Sequence, residues 1–296
     1  MRRISLLLVF ALLVTVAILP SWPTNTVHAV SDGERLAMYS KPGVVKIWGG
    51  AAGVFYFQPN TGNGKQYTVN NTGWGSGFFI NPNGYIVTNA HVTQPYHDGE
   101  EKLKEGLYPG LLVQVAKDYN IDPRNLTREQ ATYIVQHSRL VNFYVVHHVI
   151  IPDGSVFTYE IKSYGAPVGE GENWKDVSLI KIEVKNAPSL LFGDSDKMQL
   201  QDHVAVIGYP GAAETSDYTN ILNNKSSLES SITDGKISAR KSTEGGAPVL
   251  QISAPTFHGN SGGPVLNDAN EVIGLLTFRG NADQRTGAER QQGRNS

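Results

Sequence analysis

The residues with the sharpest chemical potential lie in Gly259-Asn260-Ser261-Gly262-Gly263-Pro264. Attack on an acyl carbon needs a nucleophile on a tight turn whose backbone N–H groups converge on the developing oxyanion. Glycines on both sides of Ser261 permit that turn and a close substrate approach that a Cβ would obstruct. The amides of Gly259 and Ser261 are the expected oxyanion donors. A serine hydroxyl is a poor nucleophile until a base removes its proton. Of the eight histidines, His91 ends the strand-like run Gly84-Tyr85-Ile86-Val87-Thr88-Asn89-Ala90-His91-Val92, where a buried strand opens into a loop, and it is the expected base. His258 reads as lining the substrate cleft. His147 and His148 are adjacent on a strand, point to opposite faces and read as a surface pair, not a metal site. The third group should be a carboxylate that accepts from the other ring nitrogen of the histidine and fixes its tautomer. Asp176 fits, because it opens the apolar run Asp176-Val177-Ser178-Leu179-Ile180-Lys181-Ile182. Asp194 and Asp196 are better explained as turn residues. With no cysteine in the chain, a thiol nucleophile, a thiolate metal site and a disulfide framework are excluded. Neither a metal nor an organic cofactor is expected.

The elements that must position these groups read as strands. Short apolar stretches bounded by Gly, Pro, Asn or Asp fall at 43–48, 77–80, 85–88, 143–151, 155–164 and 177–183, enough to close a small barrel. A second series falls at 203–209, 228–239, 248–254, 264–267 and 271–278. Between the early groups, residues 99–138 carry Leu103, Leu107, Leu111, Val115 and Tyr119 at helical spacing, so a mainly helical insertion, peripheral to the barrel, is expected. Thr127, with Gln130 three residues on, marks a helix start. The 31 glycines and 15 prolines suit an all-β architecture with many turns. A formal charge of −2 without a basic cluster argues against a nucleic-acid partner.

The N-terminus has a charged start at Arg2-Arg3, an apolar run from Ile4 to Leu19 and small residues near Ala29, the pattern of a secretory signal over 1–29. A secreted or cell-envelope location follows, with membrane contact only where that segment stays uncleaved. The expected organisation continues with a linker at 30–42, an N-terminal barrel at 43–190 and a C-terminal barrel at 191–280. A polar tail occupies 281–296.

Taken in order, Gly75-Ser76-Gly77-Phe78-Phe79-Ile80, Val87-Thr88-Asn89-Ala90-His91-Val92, Asp176-Val177-Ser178-Leu179-Ile180, Gly193-Asp194-Ser195-Asp196, Val206-Ile207-Gly208-Tyr209-Pro210-Gly211 and the Ser261 hexapeptide resemble the trypsin-like serine proteases, in particular their bacterial Deg/HtrA-like branch. The order His, Asp, Ser is that of the trypsin-like fold. The resemblance implies two perpendicular six-stranded β-barrels with the cleft between them, His91 and Asp176 coming from the first and Ser261 from the second. It implies protein or peptide substrates cut through an acyl-enzyme, and a substrate pocket formed by Pro255, Thr256, Phe257, His258, Leu276, Thr277 and Phe278. Proteases cutting after Lys or Arg place an aspartate where this chain has Pro255, so a small or medium apolar side chain is the expected preference. Asn260 stands where zymogen-activated relatives carry an aspartate that binds a freed N-terminal ammonium, so activation by N-terminal trimming is not expected.

Two departures from the branch stand out: the long His91–Asp176 spacing, filled by the insertion, and a C-terminus in which no PDZ-like domain is found. The second barrel also reads as lacking its last strand, because Asn281 to Ser296 offers no apolar run. Leu275, Leu276 and Phe278 are then expected at an unpaired edge. Two other readings keep the same fold: a catalytically silent binding protein, and an esterase acting on non-peptide substrates.

Overall fold

A computed structural model of the protein describes residues 30–170, 174–211 and 226–277. A helix, α1 (Asp32–Ser40), and a 3₁₀ turn lead into a seven-stranded sheet. Its strands are β1 (Val44–Phe57), β2 (Lys65–Phe79), β3 (Tyr85–Thr88), β4 (Ser138–Ile150), β5 (Val156–Thr158), β6 (Glu160–Tyr164) and β7 (Ser178–Lys181), in the spatial order β5-β4-β1-β2-β3-β7-β6. β5 and β6 occupy opposite edges of this sheet, yet only Tyr159 separates them in sequence. The sheet must therefore curl until its two edges meet, which is the first barrel. It has seven strands where six were expected, because Tyr159 divides the run 155–164 in two. The Tyr159 ring is 1% exposed and fills the inside of the curl, beside Val45, Ile47, Phe79, Ile86, Val149, Ile180 and Ile182.

The second sheet has six strands, β8 (Leu191–Phe192), β9 (His203–Gly208), β10 (Ser231–Ser242), β11 (Pro248–Ile252), β12 (Pro264–Leu266) and β13 (Glu271–Leu275), ordered β11-β10-β9-β12-β13-β8. The expectation of only five strands is corrected by β8, which pairs in parallel with β13 through Glu271↔Leu191 and Val272↔Phe192. Two residues carry too little pattern to be read as a strand. Leu276 is not left unpaired either: it accepts from the Gly262 amide at 2.8 Å and donates to the Gly263 carbonyl at 3.0 Å. Phe278 and the 281–296 tail lie outside the described residues, as does the 1–29 segment. Arg240 of β10 donates to the carbonyls of Ser195, at 2.9 Å, and Met198, so the β10–β11 side of this sheet bends towards the turn that follows β8. A cavity of about 730 Å³ occupies the concave side, a half-closed barrel.

The two sheets share a core because successive side chains of a strand point to opposite faces. Val204 and Val206 of β9 pack with Ile237, Val265 and Ile273 inside the second sheet. Ala205 and Ile207 point the other way and meet Val44 of β1 and Phe78 of β2.

β1 and β2 run far beyond their expected ends, paired in register from Val44↔Phe78 to Phe57↔Lys65. With β4 they form an arm, and the insertion covers one of its faces. The helices are α2 (Ala90–His97), α3 (Glu100–Glu105), α4 (Tyr108–Asp118) and α5 (Arg128–Gln136). The capping box expected at Thr127 is present, with Gln130 N–H to Thr127 Oγ1 at 3.2 Å and Thr127 N–H to Gln130 Oε1 at 3.0 Å. Leu103, Leu107, Leu111, Val115 and Ile134 bury Phe55, Phe57, Tyr67 and Val69 in a core of their own. Gly53 helps to explain why this part of β1 does not read as a strand: a Cβ there would stand 2.8 Å from Leu107 of the helical layer and Leu140 of β4, so close packing favours a residue that strand propensity disfavours.

The insertion is thus one side of a core and not a peripheral loop. Replacing 99–138 with a short Gly/Ser linker is expected to expose the aromatic face of the arm and give aggregated or partly unfolded protein. Leu107→Ala alone should lower stability by about 2–5 kcal/mol, since Leu107 is fully buried. Urea denaturation checks both, and a linker variant with wild-type cooperativity would contradict the assignment.

Candidate active site

β3 pairs antiparallel with β7 up to Thr88↔Ser178. Beyond that pair the two chains continue side by side, β3 into the first turn of α2, which holds His91, and β7 backwards to Asp176. The Asp176 carboxylate accepts from the His91 backbone N–H through Oδ1 at 3.0 Å and contacts His91 Nδ1 through Oδ2 at 2.8 Å. A carboxylate can only accept, so Nδ1 carries the proton and Nε2 presents its lone pair outwards. Asp176 is buried, whereas the His91 side chain is 37% exposed, which leaves its outer nitrogen accessible. The Asp176 backbone has φ +48°, in the left-handed region, and is held there from both ends: its N–H donates to Ala166 at 3.0 Å, and its carbonyl accepts from Asn89 Nδ2 at 2.9 Å. The same Asn89 nitrogen reaches Thr277 Oγ1 of the second sheet at 2.9 Å.

Ser261 stands on the turn between β11 and β12. Its carbonyl accepts from the Ser76 N–H at 2.7 Å, which seats the turn against β2 of the first sheet. Gly75 lies between the two halves of the site, since a Cβ there would meet Val92, the neighbour of His91, at 2.5 Å and the Ser261 carbonyl at 3.0 Å. Gly262 has φ +86°, and a side chain on it would fall 2.1 Å from the Ser76 carbonyl and 2.3 Å from Thr88 Oγ1, so only glycine fits. No hydrogen bond joins Ser261 Oγ to His91 among the described residues.

Of the expected pocket residues, Thr256, Leu276 and Thr277 line the cavity of the second sheet, together with Trp174 and Lys175 just ahead of Asp176. Pro255, Phe257 and His258 do not line it; Phe257 is 44% exposed, and the His258 carbonyl accepts from Gly211 N–H at 2.5 Å. Phe278 lies outside the described residues. The residues that sequence reasoning passed over are Ser76, Thr88 and Asn89, all fully buried and all polar. Their signal was a hydroxyl or amide inside otherwise apolar strand motifs.

His147 and His148 are not a surface pair pointing to opposite faces: their rings lie 5.9 Å apart and nearly parallel. His147 points inwards and stacks on Tyr96 of α2, with centroids 4.3 Å apart and planes at 3°. His97, at the end of the same helix, stacks on Tyr164 at 3.7 Å. Two His–Tyr stacks therefore hold the helix whose first turn carries His91.

The family model of the trypsin-like peptidase domain matches residues 75–275, and the chain belongs to that family. A putative serine protease, HhoB, of Synechocystis sp. is 27% identical over 212 residues, covering 69% of this chain and 34% of that protein. A probable periplasmic serine endoprotease, DegP-like, of Chlamydia muridarum is 30% identical over 145 residues, covering 49% of this chain and 26% of its own length. The chain thus spans about a quarter to a third of these relatives. Among solved structures, an HtrA-type protease, AlgW, with a tripeptide aligns over 83% of this chain and 53% of its own, at 18% identity and a TM-score of 0.47.

Burial pushes the His147 pKa below the ordinary 6.5, and the neighbouring His148 adds to the effect. Such a histidine binds its proton less readily folded than unfolded, so its contribution is intact above pH 6.5 and declines as the pH falls below that value. Lowering the pH from 7 to 5 is expected to reduce the melting temperature of wild type more than that of His147→Phe, which keeps the stack on Tyr96. Equal losses in the two proteins would show that His147 does not contribute.

Proposed function

We propose that this protein is an exported serine endopeptidase in which Ser261 is the nucleophile, His91 the general base and Asp176 the group that orients the base. The observation that carries the proposal is the two-point attachment of His91 to a buried carboxylate, through its backbone N–H and its Nδ1, beside the turn that holds Ser261. The attachment fixes tautomer and ring orientation together, leaving one reactive nitrogen. His91 Nε2 takes the Ser261 proton as Oγ attacks the peptide carbonyl, and the resulting oxyanion is held by the amides of Gly259 and Ser261. The proton then passes to the leaving amine as the C–N bond breaks. Water, deprotonated by the same nitrogen, hydrolyses the acyl-enzyme and returns the proton to Ser261.

Protein or peptide substrates follow from the family. Thr256, Leu276 and Thr277, which line the cavity and of which Leu276 is bonded to the Ser261 turn, suit a small or medium apolar side chain. Export rests on the N-terminal pattern and on the relatives named periplasmic. Among the described residues, no helix is long and apolar enough to cross a membrane.

A fluorophosphonate probe should label the purified protein, and Ser261→Ala should abolish both labelling and peptidase activity while leaving the melting temperature close to wild type. Asp176→Asn should cost on the order of 10⁴ in turnover, because the amide favours the wrong histidine tautomer. Unchanged peptide cleavage by Ser261→Ala would sink the assignment, and a loss below about tenfold in Asp176→Asn would point to a different orienting group.

A further inference from the structure

Ser76 is fully buried in β2, and all four of its hydrogen-bonding groups are engaged. Its N–H donates to the Ser261 carbonyl at 2.7 Å, and its Oγ donates to the Gly259 carbonyl at 2.7 Å. Oγ also accepts from the Tyr209 N–H at 2.9 Å, and the Ser76 carbonyl accepts from Thr88 Oγ1 at 2.7 Å. β3 pairs with β2 only at Phe78 and Phe79, so at Ser76 the edge of β2 is taken by the nucleophile turn instead of a strand.

The consequence lies in the peptide planes, for in a trans peptide the N–H points away from the C=O. The carbonyl of His258 is held by the Gly211 N–H, at 2.5 Å, and that of Asn260 by the Gly263 N–H, at 2.9 Å. The carbonyls between and after them, of Gly259 and Ser261, are held by Ser76. The matching amides of Asn260 and Gly262 are spent on Phe257, at 3.1 Å, and Leu276, at 2.8 Å. Four successive planes are thereby fixed, and the two N–H groups with no acceptor among the described residues are those of Gly259 and Ser261.

We infer that Ser76 is a positioning residue for the reaction: from the first sheet it locks the alternate peptides of the nucleophile turn, so that the amides of Gly259 and Ser261 stay directed at the oxyanion. The inference rests on the reading of Ser261 as nucleophile. Among the described residues, Ser76 makes no hydrogen bond to His91 or Asp176, so its loss should impair the oxyanion site and leave the base alone.

Ser76→Ala removes the two Oγ bonds and keeps the N–H bond. Its kcat on a peptide substrate should fall roughly 10- to 100-fold with little change in KM, less than the loss of an oxyanion donor outright. The rate of fluorophosphonate labelling should fall in parallel, and the shape of the pH–rate profile should not move. Ser76→Thr, which restores a hydroxyl, should recover most of the activity. Should Ser76→Ala not fold, Thr88→Val, which frees only the Ser76 carbonyl, should show a several-fold loss with the same signature. Turnover within twofold of wild type in Ser76→Ala, or in Thr88→Val should Ser76→Ala not fold, measured below the variant's melting temperature, would overturn the inference and leave Ser76 a purely structural residue. Failure of the wild-type protein to be labelled would instead overturn the nucleophile assignment itself, and the role of Ser76 with it.

Discussion

The Asp176 carboxylate is 1% exposed. Removing such a charge from water costs several kcal/mol unless its lone pairs find donors in good geometry. One donor is a backbone N–H and the other a ring N–H of the same residue, His91, which is available only because α2 starts directly where β3 stops. The left-handed backbone of Asp176 adds a cost of about 1–3 kcal/mol and persists only where its surroundings over-determine it. Ala166, Asn89 and the register of β3 on β7 supply that determination. Because Asn89 also binds Thr277, holding the Asp176 backbone ties the first sheet to the second.

The same economy governs the rest of the shared interface. β1, β2 and β9 bury both faces near the site, one in their own sheet and one against the other, which is why Val204–Ile207 reads as a continuous apolar run and Val44–Ile47 as one interrupted only by Lys46, not as alternating ones. In such an interface most buried polar groups are hydrogen-bonded. Ser76 and Thr88 are among them, Ser76 bonding to the Ser261 turn and Thr88 to the Ser76 carbonyl. Their burial is what makes them specific: in water either hydroxyl could exchange its partner for solvent, and the turn would lose its fixed planes.

The candidate site was legible because its chemistry restricts residue types: a glycine-flanked serine, a histidine ending a strand and an aspartate opening one. Their order along the chain then selected the fold. What escaped was set by tertiary contacts. Gly49 to Gly53 and Asn70 to Gly73 lie outside the expected strands, yet both are paired strand, and at Gly53 Leu107 of the insertion and Leu140 of β4 occupy the space of a side chain. β8 is two residues long and is defined only by its partner β13. Tyr159 looks like an ordinary strand aromatic, but it is the point at which the chain passes from one edge of the first sheet to the other. Pro255, Phe257 and His258 were placed by their distance from the serine alone, and distance along the chain does not say which side of a turn faces the cavity.

The arm and the turn that carries Ser261 are joined by a single strand. β2 begins at Lys65, where the lysine binds Asp118 at the end of α4, and Tyr67 Oη binds the same carboxylate at 2.8 Å. It passes through Val69 in the core beneath the helices and reaches Ser76 seven residues later, roughly 24 Å at the rise of an extended strand. Over that length it is paired residue for residue with β1, from Phe57↔Lys65 to Val44↔Phe78. A ladder of this kind resists shear because slipping by one residue would turn Tyr67 and Val69 out of their core and the Ser76 hydroxyl away from Gly259. The register that buries the aromatic face of the arm is therefore the register that aims Ser76, and the helical insertion helps to specify the turn on which Ser261 stands.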